Sequence, residues 1–260
     1  MEIHPSTIPP ASPTLVIDGS GSVVFAGVLG SDGNWLARSE QTGAPLESLF
    51  PAIEATLDAA QLTLADMRSF IYCEGPGSVL GLRLCAMAIE TWSRLYPQSA
   101  HYYAYNSLQL TAALICVDTP DLDQALLISD WKKGTWNAVK IRNGQPSVAE
   151  VADDDSIANW TDSLYHLPQR KGWQQPPANA TAVEYRPDRL AEVFQLLRPT
   201  ESVELYAAGV NVFQKWTAER HRAQIKKERV VRIDDRPSVR KRNRKGKWIE
   251  RVRFRQNLDK

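Results

Sequence analysis

The stretch Glu74-Gly75-Pro76-Gly77-Ser78-Val79-Leu80-Gly81-Leu82-Arg83 decides the reading of this chain. It follows a short apolar run, Ser69 to Cys73, that reads as a strand, and it opens a long apolar segment reaching about Tyr96. The glycines at 75 and 77 permit backbone angles closed to other residues, and Pro76 fixes the dihedral between them. The stretch is therefore a tight strand-to-helix turn, and Ser78 is a good N-cap for the helix that follows. Val79, Leu80, Leu82, Leu84, Cys85, Ala86, Met87, Ala88, Ile89 and Trp92 cover nearly the whole circumference of that helix. A helix apolar all round must be covered on all sides. One side lies on the sheet of its own domain; the other is covered by a second helix of the chain or by another protein.

Upstream, Thr14 to Asp18 is a short apolar run ending in an acid, and Ser22 to Leu29 continues it with Val23, Val24, Phe25 and Val28, beyond Gly19 to Gly21, which suit a hairpin turn. Asn34 to Ser39 reads as a third strand. Leu46, Leu49, Phe50, Ile53, Leu57 and Ala60 recur at helical spacing, which predicts an amphipathic helix over Leu46 to Ala60. Downstream, His101 to Tyr105 is strand-like and Ser107 to Cys116 helical. Thr119-Pro120-Asp121 reads as a hinge. Ala125 to Ser129, Thr135 to Ile141 and Ser147 to Val151 are then strand-like, with a turn signal at Asn143-Gly144, and Gln169 to Ala182 is a loop. Pro187 to Leu197 has helical spacing, Val203 to Val210 reads as a strand and Val212 to Arg222 as a last helix. No internal repeat is visible. This order predicts an α/β chain of two halves, 14–118 and 119–222, between a flexible start at 1–13 and a tail at 223–260.

The 260 residues carry 31 Lys and Arg against 30 Asp and Glu, and 43% are hydrophobic. That composition excludes a wholly disordered chain, a collagen-like repeat and a disulfide scaffold. No apolar run approaches the length of a membrane helix, and the first thirteen residues lack the features of a signal peptide. Cys73, Cys85 and Cys116 are scattered among apolar residues and read as free thiols in a reducing compartment, so the expected location is cytoplasmic. The near-neutral charge hides an asymmetry. Residues 220–260 hold 17 Lys and Arg against 5 Asp and Glu, and the other 219 carry a net charge of −11. Within that tail, Arg240, Lys241, Arg242, Arg244, Lys245 and Lys247 form a run that either attracts RNA or another polyanion or is a solvated extension.

The Gly-Pro-Gly-Ser-x-x-Gly-Leu-Arg string at 75–83 resembles the signature of the TsaB (YeaZ) family, which carries it in the same place after a short strand. Leu15 to Ser20 is similar to that family's N-terminal strand and turn, and Pro45 to Pro51 to the opening of its first helix. Ile128-Ser129-Asp130 with Gly134-Thr135-Trp136 corresponds loosely to a later hairpin. The likeness spans about residues 14 to 140. Val79-Leu80 stands where the family has Phe-Thr, and Pro45 near its His, so this resembles a divergent member.

The resemblance implies an α/β, actin-like fold of the sugar kinase and heat-shock ATPase superfamily, two-lobed, each lobe a mixed sheet with helices. It implies a non-catalytic subunit of the machinery that makes threonylcarbamoyladenosine in tRNA. Such a subunit pairs with a catalytic TsaD-like paralogue through a helical bundle, and a TsaE-like ATPase joins the pair. The expected partner face on the helix is Leu80, Leu84, Met87, Ala88, Thr91 and Leu95, and a homodimer is a further possibility. Gly75, Pro76, Gly77, Ser78, Gly81 and Arg83 are then a structural loop.

Chemistry of the chain's own is sparse in the sequence. The histidines, His4, His101, His166 and His221, stand alone, so neither a metal nor another cofactor is expected. Asp18, with Gly19 and Ser20, either holds a metal–nucleotide complex or is a turn acid bonding its own backbone. The Gly75 to Gly77 loop either binds an anion at the helix start or only turns the chain.

Overall fold

β1 (Thr14–Asp18), β2 (Val23–Leu29) and β3 (Trp35–Thr42) form an antiparallel meander, with Asp18 opposite Phe25 and Val23 opposite Thr42. The chain is a computed structural model that describes residues 11–96, 101–169, 172 and 174–206, with the backbone of 241–242 and 248–249. After the meander comes helix α1 (Pro45–Ala60), started by a proline at its first position, where the missing N–H costs nothing. Strand β4 (Ser69–Gly75) then pairs parallel to β1, helix α2 (Val79–Leu95) follows, and β5 (His101–Asn106) pairs parallel to β4.

Helix α3 (Ser107–Asp118) leads to a second sheet. There β6 (Gln124–Lys132) and β7 (Thr135–Arg142) pair antiparallel, and β8 (Gln145–Pro146) and β9 (Glu150–Asp153) both pair with β7. After the short helix α4 (Asp154–Ala158), β10 (Ser163–His166) lies parallel to β6, and β11 (Thr181–Ala182) parallel to β10. A 3-10 segment, Pro187–Leu196, leads to β12 (Arg198–Thr200), which returns to the first sheet antiparallel to β5.

The sheet orders are β12-β5-β4-β1-β2-β3 and β11-β10-β6-β7-β8. In each sheet the first three strands, β1-β2-β3 and β6-β7-β8, form an antiparallel meander, and the first of them pairs on its other side with a later, parallel strand, β4 or β10. The fold is thus an internal duplication, the actin-like arrangement of two mixed sheets, although no repeat shows in the sequence.

Alternation along each strand divides the core. Leu15, Ile17, Phe70 and Tyr72 face α1 and α2, while Val16, Phe25, Ile71 and Tyr105 face α3 and the 3-10 segment. Helix α3 is apolar on two faces because it is shared: Leu110, Ala113 and Leu114 pack on the first sheet, and Leu108 and Ala112 on the second. A further cluster, including Leu126, Ile128 and Trp136, fills the far face of the second sheet.

Several expectations shift. The strand expected at Ser147 to Val151 lies at Glu150–Asp153. Val203–Tyr206 is not strand; the pairing is made by Arg198–Thr200 instead, and the Tyr206 N–H donates to the Glu74 carbonyl at 2.8 Å. Pro199 lies within β12, at the sheet edge, where a missing N–H is tolerated. The helix expected at Pro187 to Leu197 is 3-10 and breaks at Val193. The last helix expected at Val212 to Arg222 lies outside the described residues.

A second compact unit covers Val212–Lys260. Its described part is an antiparallel ladder of β13 (Lys241–Arg242) and β14 (Trp248–Ile249), with Lys241 opposite Ile249 and Arg242 opposite Trp248. Among the described residues no helix is long and apolar enough to cross a membrane.

Candidate functional site

Asp18, at the end of β1, is fully buried. Its Oδ1 accepts the Ser20 backbone N–H at 2.6 Å, and its Oδ2 accepts the hydroxyls of both Tyr105 and Tyr185. A buried carboxylate persists only when paired in this way, so three donors of the chain itself hold the charge. Burial, and then the Asp18 charge, push Cys73, Tyr105 and Tyr185 well above their ordinary pKa values. The two tyrosines were not foreseen from sequence; Tyr185 lies 167 residues from Asp18, and no local pattern links them.

The Gly-Pro-Gly-Ser turn docks directly on the Asp18 to Ser20 turn. The Ser78 N–H donates to the Ser20 carbonyl at 2.8 Å, and the Ser107 hydroxyl donates to the Pro76 carbonyl at 2.5 Å. Gly75 has φ +112°, a region glycine enters without strain. Ser78 caps α2, its Oγ accepting the Gly81 N–H at 3.4 Å. Gly81 lies against Gly19 so closely that a Cβ built there would stand 1.9 Å from the Gly19 carbonyl oxygen. Gly77 sits beside Ser20 in the same contact, and Arg83 is exposed. The glycines thus serve the approach of two backbone turns.

Between the two sheets lies a cleft of about 680 Å³, lined in part by Ser20, Gly77, Ser107, Ser129, Gln169 and Tyr185. Two cations at its wall, Arg38 and Arg186, are both engaged with Asp188, at 3.7 and 2.9 Å. Asp130 occupies the place in the second sheet that Asp18 holds in the first: each faces the second strand of its sheet, opposite Trp136 and Phe25 respectively. The Asp130 carbonyl accepts the side-chain amides of Asn137 at 3.1 Å and Gln169 at 2.9 Å. His166, on the neighbouring β10, packs edge-on to Trp136, and burial lowers its pKa against the opposing pull of Asp130. Among the described residues no group of three His, Cys, Asp or Glu side chains gathers to hold a metal ion.

The thiols follow the same physics. Cys73 and Cys85 are buried and Cys116 is half-buried, and burial raises the pKa of all three. At pH 8 in the native state, iodoacetamide will therefore modify Cys116 at least about tenfold faster than the other two. Mass spectrometry of timed samples checks this order; prior labelling of Cys73 would contradict the buried turn.

The outer face of α2 tells a different story. Leu80, Met87 and Leu95 are 53, 63 and 65% exposed, Thr91 is exposed and Leu84 is half-buried. On α1, Leu46 and Phe50 are 64 and 48% exposed. Both helices begin at the end of the sheet that carries Asp18, since α1 follows Thr42 and α2 follows the strand beside β1. Leu46 and Phe50 share the helical spacing of Leu49, Ile53 and Leu57, yet only the latter three are buried.

Ala88 is a correction. It was expected on the partner face, but it is 7% exposed and packs in the core with Leu15, Ile17 and Trp92. Ala88→Arg will therefore unfold the chain rather than detach a partner, at a cost of about 4 kcal/mol or more for a buried unpaired charge. Circular dichroism will show a lowered melting midpoint; a native melt would contradict the packing.

Of the expected RNA-binding residues, Lys241 and Arg242 lie on β13, whereas Arg240, Arg244, Lys245 and Lys247 fall outside the described residues, as do His4 and His221.

Comparison with curated protein sequences gives no match. Among solved structures, YeaZ from Pseudomonas aeruginosa aligns at TM-score 0.51 and 16% identity, over 67% of this chain and 84% of that one. A second, described as an uncharacterized protein with similarity to peptidase YEAZ from Pseudomonas aeruginosa, aligns at TM-score 0.52 and 14% identity, over 75% of this chain and 99% of the other. These likenesses establish the fold. The family model described as TsaD, tRNA N6-adenosine threonylcarbamoyltransferase, matches residues 44–218, more than half of the chain. The chain therefore belongs to the TsaD family, as a divergent member with the YeaZ (TsaB) fold.

Proposed function

We propose that this chain is a non-catalytic assembly subunit of the machinery that makes threonylcarbamoyladenosine in tRNA. It pairs with a catalytic TsaD-like paralogue through α1 and α2, and a TsaE-like ATPase joins the pair. The observation that carries this reading is the apolar stripe on α2, where Leu80, Met87 and Leu95 are exposed and Leu84 half-buried, together with the exposed Leu46 and Phe50 of α1. Exposed apolar side chains at helical spacing on a folded lobe mark an interaction surface. The buried state of Asp18 favours the same reading, because its carboxylate oxygens already accept three protein donors.

Multi-angle light scattering on the chain alone and mixed with the paralogue from the same host tests the proposal. A one-to-one complex is expected, replacing any homodimer held by the same face. A persistent monomer or homodimer beside the paralogue would overturn it.

A second reading, nucleotide binding, is favoured by the 680 Å³ cleft between the sheets. It requires Asp18 to exchange Tyr105 and Tyr185 for a metal-bound ligand. Calorimetry with magnesium and ATP tests it, and absence of heat would remove it.

A further inference from the structure

We infer that the open edge of β3 is a self-association surface, on which a second copy of this chain pairs antiparallel about a two-fold axis at Ser39. The first sheet ends in two edges of unlike make. At one end β12 is three residues long and carries Pro199, which has no N–H to offer a neighbouring strand. At the other end β3 runs for eight residues, Trp35 to Thr42, without a proline or a lysine, residues that commonly blunt an edge. Among the described residues no strand pairs with the outer side of β3, and no other sheet edge is as long. Such a row of backbone donors and acceptors is a template for another strand. The edge is also held ready. At its start the Trp35 indole N–H donates to the Asp188 carbonyl at 2.8 Å, and the ring packs edge-on against Phe25 at 5.3 Å. At its end the Ser48 hydroxyl donates to the Thr42 carbonyl at 3.2 Å. The one irregularity lies at Leu36, which leaves Ala37 to Thr42 in unbroken register with β2. A strand fixed at both ends loses little freedom on pairing.

The occupant follows from charge. Arg38 and Glu40 are both exposed and, being alternate residues of a strand, project from one face. Arg38 reaches only 3.7 Å from Asp188, whose carboxylate Arg186 already holds at 2.9 Å, and Glu40 makes no ion pair among the described residues. Two copies of one strand paired antiparallel about a two-fold axis set residues of the same facing opposite each other, so the axis lies between two copies of one residue. An axis at Arg38 sets that cation against itself, and an axis at Glu40 does the same with the anion. Axes at Ala37 or Gln41 leave both charges unmatched and shorten the overlap. An axis at Ser39 places Arg38 of each copy opposite Glu40 of the other, twice over, with Ala37 opposite Gln41. Opposite charges facing each other stabilise a ladder and like charges destabilise it. The edge is therefore complementary to itself, in one register.

This inference does not rest on the pairing through α1 and α2. The test uses the full chain alone, in sedimentation equilibrium at about 50 mM salt, where exposed charges are weakly screened. A monomer–dimer equilibrium is expected, with a dissociation constant of about 1–100 µM, as suits a small interface made mostly by backbone. Arg38→Glu and Glu40→Arg each turn both attractive pairs into repulsive ones, and each is expected to weaken the dimer at least about tenfold. An equimolar mixture of the two variants restores opposite charges at both contacts between positions 38 and 40, and is expected to recover the wild-type affinity to within about threefold. Recovery on mixing also shows that both variants are folded. A wild type still monomeric at about 500 µM, a dimer indifferent to both reversals, or a mixture no tighter than its components would overturn the inference. The dimer is expected to survive Met87→Arg; its loss there would place self-association on α2 and overturn the β3 reading, while leaving the paralogue pairing to its own test.

Discussion

On the pairing proposed above, Met87→Arg will separate the chain from a TsaD-like paralogue without unfolding it. Met87 is 63% exposed and projects from the turn of α2 opposite the core residues Cys85, Ala88 and Ile89. An arginine there is solvated in the free chain and costs the fold little. Within a closed helical bundle it loses that solvation, and the Met contacts are lost as well. An unpaired charge buried in an interface costs about 2–5 kcal/mol, so affinity falls by about 30-fold to several thousandfold. Titration calorimetry measures the loss, and a melting curve unchanged within about 2 °C confirms the fold. Pairing at wild-type affinity would place the interface elsewhere. The contrast with Ala88→Arg is diagnostic, because one residue along the helix the same substitution enters the core.

The second large effect is expected at Gly81→Ala. In an ordinary helix this exchange stabilises by up to about 1 kcal/mol, because glycine is the poorer helix former. Here the new Cβ would stand 1.9 Å from the Gly19 carbonyl oxygen, with the Gly19 carbonyl carbon at 2.7 Å. Both obstacles are backbone, so no side chain can swing aside. The start of α2 must withdraw, straining the Ser78 to Ser20 hydrogen bond and the turn that orders Asp18. The expected cost is about 3 kcal/mol, a fall in melting midpoint of about 6–12 °C. Calorimetry decides by sign alone: a raised midpoint would show that the two turns are not in contact.

The first lobe was largely legible in the sequence because its signals are local. Short apolar runs separated by a glycine turn gave its first strands, helical spacing gave α1, and the Gly75 to Gly77 turn gave the start of α2. The second lobe was harder. β10 is four residues, and its pairing with β6 lies 38 residues away in the chain, so no hairpin signal announces it. The return of Arg198–Thr200 to β5 was invisible for the same reason, and Val203 to Val210 offered a stronger apolar run. At the site, sequence isolated Asp18 and the glycines but not their partners. Tyr105 and Tyr185 reach Asp18 through tertiary packing, and a tyrosine in a strand or loop carries no mark of what its hydroxyl will meet. On α2, composition alone could not separate Met87 from Ala88; their burial depends on the angle at which the helix crosses the sheet.

The late strand β12 also sets an order of assembly. β5 emerges from synthesis with one edge open, and its neighbour arrives only after the whole second sheet has been made. A nascent chain halted after Asp118 exposes that edge, and open strand edges recruit other chains. The first lobe therefore cannot finish folding on the ribosome ahead of the second, and a gene split between them would yield an aggregating half rather than a soluble domain.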